Sequence, residues 1–226
     1  MKRAIFCGRV FSALTTGLAL IGSPAFSADP ADGFRAVRAT TECEVRRAGQ
    51  ADFEAMKEGN AYPFGSAIRT GRKATAALEF SKGNGCVLSG ATAVTVRADK
   101  DRKIRIALEA GSLELNLAPD FPVDGLRVET PILNAGASGR GFHVSVESDV
   151  DWQTITISPG EGKGSVDGKF FLVPRMVSGS RMSVACTRER LFLRLKVLAG
   201  RVPVELVDDA GKLKMVELET GEAVKM

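Results

Sequence analysis

The chain has 226 residues, with 31 Lys and Arg against 27 Asp and Glu, one Trp, one Tyr and one His. Three of the basic residues fall within the first nine positions, and the remainder is nearly neutral, with 28 basic and 27 acidic residues. This balance gives no reason to expect binding to nucleic acid or to an anionic membrane surface.

The N-terminus has the pattern of a secretory signal. A basic start is followed by an apolar run over residues 10–21 and by small residues over 23–27. We predict a signal peptide at 1–27, a mature chain that begins at Ala28, and a periplasmic or secreted protein. The apolar run is shorter than the roughly 20 residues of a membrane span, and no second run follows. The mature chain is therefore predicted to have no membrane span.

Three cysteines follow the predicted signal: Cys43, Cys86 and Cys186. An oxidising compartment permits one disulfide, and Cys43 to Cys86 is the predicted pair because both lie in the N-terminal half. Cys186 alternates with apolar residues and is predicted to be buried. The chain has no Cys-x-x-Cys pair and no Cys/His cluster, so we predict no metal ligands and no cofactor-binding residues.

Residues 28–42 are predicted to be a lead-in segment, and strand patterns separated by glycine-containing turns extend from residue 43 to the end. Ala74 to Phe80 reads as a strand with Leu78 and Phe80 facing inward. In 142–144 the apolar residues flank His143, which places the histidine on the opposite, wetter face.

The clearest pattern lies in residues 104–117, where six aliphatic side chains recur every second position on either side of Gly111. A reversal near Gly111 would pair the two halves and keep all six side chains on one sheet face. A bend or bulge at Gly111 would preserve the same apolar face within one strand. The residues alone leave both interpretations open, and both make the stretch part of the core.

Several glycines recur about 20 residues apart, at 71, 90 and 111 and again at 200 and 221, which hints at stacked strand-turn units. The spacing is too irregular for a regular solenoid. We predict an all-β fold, a roll or sandwich of short, mostly antiparallel strands, with a short irregular β-solenoid as the alternative.

Catalytic chemistry is not predicted. A Ser-His-Asp or Cys-His site would have to use His143, and the sequence has no Gly-x-Ser-x-Gly elbow. A paired-carboxylate site depends on distances that a sequence does not give, and we rate it well below a non-catalytic role. No catalytic residue is therefore assigned.

Together these motifs resemble the FecR-type periplasmic domain over about residues 43–166. The resemblance lies in the order and spacing of Gly-rich turns, aliphatic steps, a Thr-Pro pair and a Gly-x-Gly-Phe-x-Val segment. The corresponding stretches here are Gly59–Gly71, Ala74–Phe80, Leu108–Leu113, Glu129–Pro131 and Gly139–Val144.

The resemblance implies that Gly111 is a step between sheet segments, which favours the bend over the reversal. It also implies one domain over 43–226, in which the closing strands at 191–226 follow an insertion near 167–190. Two departures from the family pattern, Arg140 and Asn84-Gly85-Cys86, affect the edge loop and one turn.

The resemblance further implies envelope signalling, in which a periplasmic domain senses a partner. Because the sequence has no cytoplasmic segment, only protein recognition in the envelope is expected of it, by sheet edges or loops. The expected partner is therefore an envelope protein. The alternative is a carbohydrate or cell-wall binding module, for which the partner would be a glycan.

Overall fold

A computed structural model describes residues 32–122, 125–149, 151–187, 193–207 and 212–225. The predicted signal peptide lies outside these ranges. The described residues form 19 β-strands and no helix. The first ten strands are β1 Gly33–Ala39, β2 Cys43–Arg46, β3 Glu54–Ala55, β4 Ala61–Pro63, β5 Ser66–Thr70, β6 Thr75–Ser81, β7 Asn84–Ala98, β8 Ile104–Asn116, β9 Leu126–Glu129 and β10 Leu133–Ser138. The other nine are β11 Arg140–Ser148, β12 Trp152–Ser158, β13 Lys163–Gly168, β14 Phe171–Met176, β15 Arg181–Thr187, β16 Leu193–Ala199, β17 Arg201–Val207, β18 Leu213–Glu219 and β19 Ala223–Lys225.

The hydrogen-bonded pairings arrange the strands in two series. Sheet I has the order β4, β1, β6, the start of β7, the end of β8, β11, β12, β15, β16 and β19. Sheet II has the order β3, β2, β5, the end of β7, the start of β8, β9, β10, β13, β14, β17 and β18. Among the described pairings only that of β8 with β9 is parallel. The predicted all-β class with mostly antiparallel strands is confirmed.

The two long strands β7 and β8 belong to both sheets and join them into one continuous structure. The alternation of β8 places Ile106, Leu108, Leu113 and Leu115 in the interior, each at most 1% exposed. Apolar residues of both sheets complete a single core. Because apolar burial is the main force that favours folding, this shared interior holds the two sheets together.

Gly111 is the point at which β8 passes from sheet II to sheet I. Its φ is +86°, a conformation that disfavours residues with a Cβ atom, and an added Cβ would lie 2.4 Å from the Cα atom of Thr92. The side chain of Thr92 accepts the Ser112 N–H at 3.0 Å and fills the adjacent bend of β7. The strand therefore bends and does not reverse, as the family resemblance predicted.

The chain changes sheets on opposite sides in its two halves. In β1–β8 most crossings lie on the Gly111 side, where the Gly71 N–H donates to Glu42 and the Ala91 N–H donates to the Gly71 carbonyl, both at 2.9 Å. The link from β4 to β5 crosses at the other side, where the Gly65 N–H donates to the Val96 carbonyl. In β10–β19 it crosses on the Gly160 side, where a Cβ at Gly160 would lie 2.3 Å from the Gly141 carbonyl oxygen. The link between β8 and β9 makes the switch. Apart from the β4–β5 link, the two halves are thus closed along opposite sides.

Other sequence predictions also meet the structure. β6 buries Leu78 and Phe80 as predicted. Within the range predicted as an insertion, β14 and β15 contribute to sheets II and I. Residue 191, where the predicted closing strands begin, lies outside the described residues.

Candidate interaction surface

His143 lies on the outer face of sheet I, in register with Glu114 on β8 and with Ser158 on β12. Burial lowers the pKa of His143, the nearby Glu114 carboxylate acts in the opposite direction, and Arg181 lowers the pKa further. The predicted orientation, opposite to the buried Phe142 and Val144, is correct. The described residues contain no group of three or more His, Cys, Asp or Glu that could hold a metal ion.

Cys43 and Cys86 are both buried thiols in this structure and are not bonded to each other. The Cys43 thiol donates to the Thr75 carbonyl at 3.3 Å. Cys86 lies in sheet I opposite Leu78 and Leu115, and this apolar burial raises the pKa of its thiol. The disulfide expected in the oxidised, exported protein stays a prediction.

The arginines near the N-terminus bind groups of the protein itself. Arg46 and Arg69 lie over Phe53, with guanidinium carbons 5.1 and 4.1 Å from the ring centroid, and Arg69 also pairs with Glu44. The pairing of β2 with β5 brings these arginines together, and they fix the segment that covers this end of the molecule.

The N-terminal and C-terminal ends of the two sheets differ in how much strand edge they leave open. At the N-terminal end the edge strands are β3, of two residues, and β4, of three residues that include Pro63. Short edges and proline oppose the addition of a further strand. At the C-terminal end, β19 has three residues but β18 has seven. Among the described strands β18 pairs only with β17, which leaves its other edge open.

Three observations establish which backbone groups of β18 point to the open edge. The N–H of Val207, opposite Leu213, donates to the carbonyl of Phe170, just before β14, at 3.1 Å, and Pro203, opposite Glu217, has no N–H. The Glu219 N–H donates to the Glu222 carboxylate at 2.7 Å, away from β17. Backbone groups alternate between the two edges of a strand. The N–H and C=O groups of residues 213, 215 and 217 therefore face outward along the edge.

An exposed apolar patch adjoins this edge on the outer face of sheet II. We define the edge patch as Phe170, Val207, Leu213 and Met215. The exposed fraction is 68% for Leu213, 57% for Met215, 41% for Val207 and 40% for Phe170. Four of the seven large exposed apolar side chains among the described residues belong to this one patch. Such clustering marks an interaction surface more often than scattered exposed residues do.

The sequence analysis placed closing strands at 191–226 but did not identify the patch. The available signal is that β18 carries apolar residues on both faces: Val216 and Leu218 face the interior, and Leu213 and Met215 face outward. A strand covered on one side only is expected to alternate apolar and polar residues. This departure from alternation is the sequence feature from which the surface could have been predicted.

Comparison with known proteins identifies the central part of the chain. The family model described as FecR protein matches residues 66–161, from β5 to the link after β12. No curated protein and no solved structure matches the chain. The described residues contain no helix long and apolar enough to cross a bilayer. FecR proteins are signalling-related proteins of the cell envelope. The match, together with the order of the motifs, supports a FecR-type domain in this part of the chain.

Proposed function

We propose that this protein is exported to the bacterial envelope and acts there without catalysis, by recognising another protein through the edge of β18. The single observation that carries the proposal is the coincidence of an open seven-residue edge with an exposed apolar patch. Backbone groups on such an edge give affinity, and side chains beside it give selectivity. The family supports a signalling-related role, since FecR proteins are regulatory and not enzymes.

Photo-cross-linking in intact cells tests this proposal. Benzoylphenylalanine is placed at Leu213 in one variant and at Val37 in another. Val37 is a matched control because it is also apolar and 49% exposed. It lies on β1, near the N-terminal end of sheet I, whereas Leu213 lies on β18 in sheet II. We expect an adduct of one discrete mass from position 213 and none from position 37, and mass spectrometry then identifies the captured protein.

Equal adducts from the two positions would show non-specific contact and would contradict the proposal. The carbohydrate or cell-wall alternative makes a different prediction. If that alternative holds, the purified protein co-sediments with isolated cell-wall sacculi and position 213 captures no protein.

A further inference from the structure

We propose that the partner contributes an extended segment that adds to sheet II as an antiparallel strand beside β18, with aliphatic residues opposite the edge patch and one cation and one anion at set positions. This inference rests on the proposed function and specifies the chemistry of the partner. It depends on the geometry of the edge and on the charges along it.

The backbone supports strand addition over simple apolar contact. In an antiparallel pair, residues that face each other across an open edge exchange two hydrogen bonds. With residues 213, 215 and 217 turned outward, an added strand would gain about six backbone hydrogen bonds. The outward side chains Leu213 and Met215 belong to the same residues, so one added strand would satisfy the edge and cover the patch.

The charges on β18 restrict which strand fits. Glu217 is outward and exposed on the same face as the patch, so the residue opposite it should be basic. Glu219 on that face is already paired with Arg201 at 2.8 Å and adds no further requirement. Lys214 faces the inner side of the edge, opposite Leu206 across the β17 ladder. A charge pointing inward on an edge strand discourages unspecific strand addition, and an acidic residue in the partner would neutralise it.

These requirements specify a short sequence. Read in its own N-to-C direction, from the position opposite Glu217 to that opposite Leu213, the partner segment carries a cation, two aliphatic residues, an anion and a further aliphatic residue. A fluorescent peptide with Lys-Val-Val-Glu-Val at its centre represents this pattern. The matched control is a peptide of identical composition with the two charges exchanged, Glu-Val-Val-Lys-Val.

Fluorescence anisotropy with the mature protein measures the binding of both peptides. We expect the first peptide to bind about tenfold more tightly than the second, because two favourable cross-strand pairs become two repulsive ones. In the double variant Lys214→Glu with Glu217→Lys, the order of the two peptides should reverse. Equal affinity of both peptides for the unmodified protein would overturn the assigned charge pattern.

Met215→Pro tests the backbone part of the inference. This substitution removes an N–H that points outward and leaves the bonds of β18 to β17 in place. We expect unchanged thermal unfolding but loss of peptide binding. Met215→Leu is the control variant, since it keeps both the N–H and the apolar side chain. Peptide binding that survives Met215→Pro would refute strand addition.

The two proposals can fail separately. If position 213 still captures a protein in cells when Met215→Pro is present, the protein-recognition function holds and the added strand is wrong. If the peptide binds but position 213 captures nothing in cells, the edge is competent and the proposed function is wrong. Sedimentation that shows a concentration-dependent dimer, abolished by Met215→Pro, would make a second copy of this chain the occupant and would overturn the choice of a foreign segment.

Discussion

Single residues in this protein act mainly by fixing where the backbone bends and which groups stay neutral. Gly111 allows a long strand to change sheets because no Cβ separates it from Thr92. Burial lowers the pKa of His143 by more than the Glu114 carboxylate raises it, so His143 stays neutral at a lower pH than an exposed histidine would. Each is a local property whose value depends on a neighbour far away in the sequence.

The lowered pKa of His143 predicts a loss of stability in mild acid. The unfolded chain takes up a proton near the ordinary pKa of 6.5, whereas the folded protein does so only at lower pH. Between these two pKa values the unfolded state binds more protons, so the free energy of unfolding falls as pH falls. We expect the melting temperature to drop more from pH 7.5 to pH 5.5 in the unmodified protein than in His143→Gln.

Because the chain has a single histidine, the difference between the two proteins isolates this one group. Carboxylates titrate mostly below this pH range and contribute similarly to both proteins. Identical shifts in melting temperature would show that His143 titrates at the same pH in the folded and unfolded states.

Among the elements, β8 holds the fold together because both sheets and both halves depend on it. It pairs with β7 along its whole length, with β9 in sheet II and with β11 in sheet I. Its inward side chains lie at the centre of the shared core. Damage to β8 should therefore affect the whole domain and not one end of it.

Leu115→Asp tests this dependence. Leu115 is fully buried, and the substitution removes apolar contacts and places a carboxylate where it has no partner. We expect a loss of several kcal/mol, comparable to the whole stability of a typical domain, so the variant should not fold. Circular dichroism and thermal unfolding measure the effect.

Glu114→Asp is the matched control, since it places the same residue one position earlier on the exposed face of β8. It should melt within a few degrees of the unmodified protein. Cooperative melting of Leu115→Asp at the unmodified temperature would contradict the role assigned to β8.

Alternation predicted most strands and the direction of their side chains, because it is a local property, but it did not predict β1, which lies within the range described as a lead-in segment. It predicted the buried face of residues 104–117 but could not separate a bend from a reversal, since both keep the same residues inside. The contact that decides between them joins Gly111 to Thr92, 19 positions earlier.

The open edge of β18 was not predicted for a similar reason. Edge strands and central strands can share one local pattern, and β18 is recognised as an edge strand only because, among the described strands, it pairs with β17 alone. At Gly111 the family resemblance distinguished the bend from the reversal, which alternation could not do. The family match ends before β18, so it gave no information about this edge.

For the whole molecule, export and oxidation are linked predictions. A chain exported to an oxidising compartment loses its signal peptide and meets conditions that favour disulfides. Intact mass spectrometry of protein from the periplasmic fraction should give a chain that begins at Ala28. The mass should also be lower by the two hydrogens lost in a disulfide.

Cys43→Ser provides the control for the disulfide, because it should abolish this mass difference and the mobility shift between reducing and non-reducing gels. A mobility shift that persists in Cys43→Ser would exclude Cys43 from the bond. A mass that still includes residues 1–27 would contradict the predicted cleavage.

The crossings on the Gly160 side have a consequence for how such a molecule can change in length. Their glycines fall at positions 139, 160, 179, 200 and 221, and each interval of 19 or 21 residues adds a pair of strands to one sheet, with sheets I and II taken in turn. Gain or loss of two successive intervals would therefore keep the last strand in the same sheet and orientation and shift it by two strand spacings, about 10 Å. In the C-terminal half, the number of such interval pairs therefore sets how far β18 lies from the segment that matches the FecR family model.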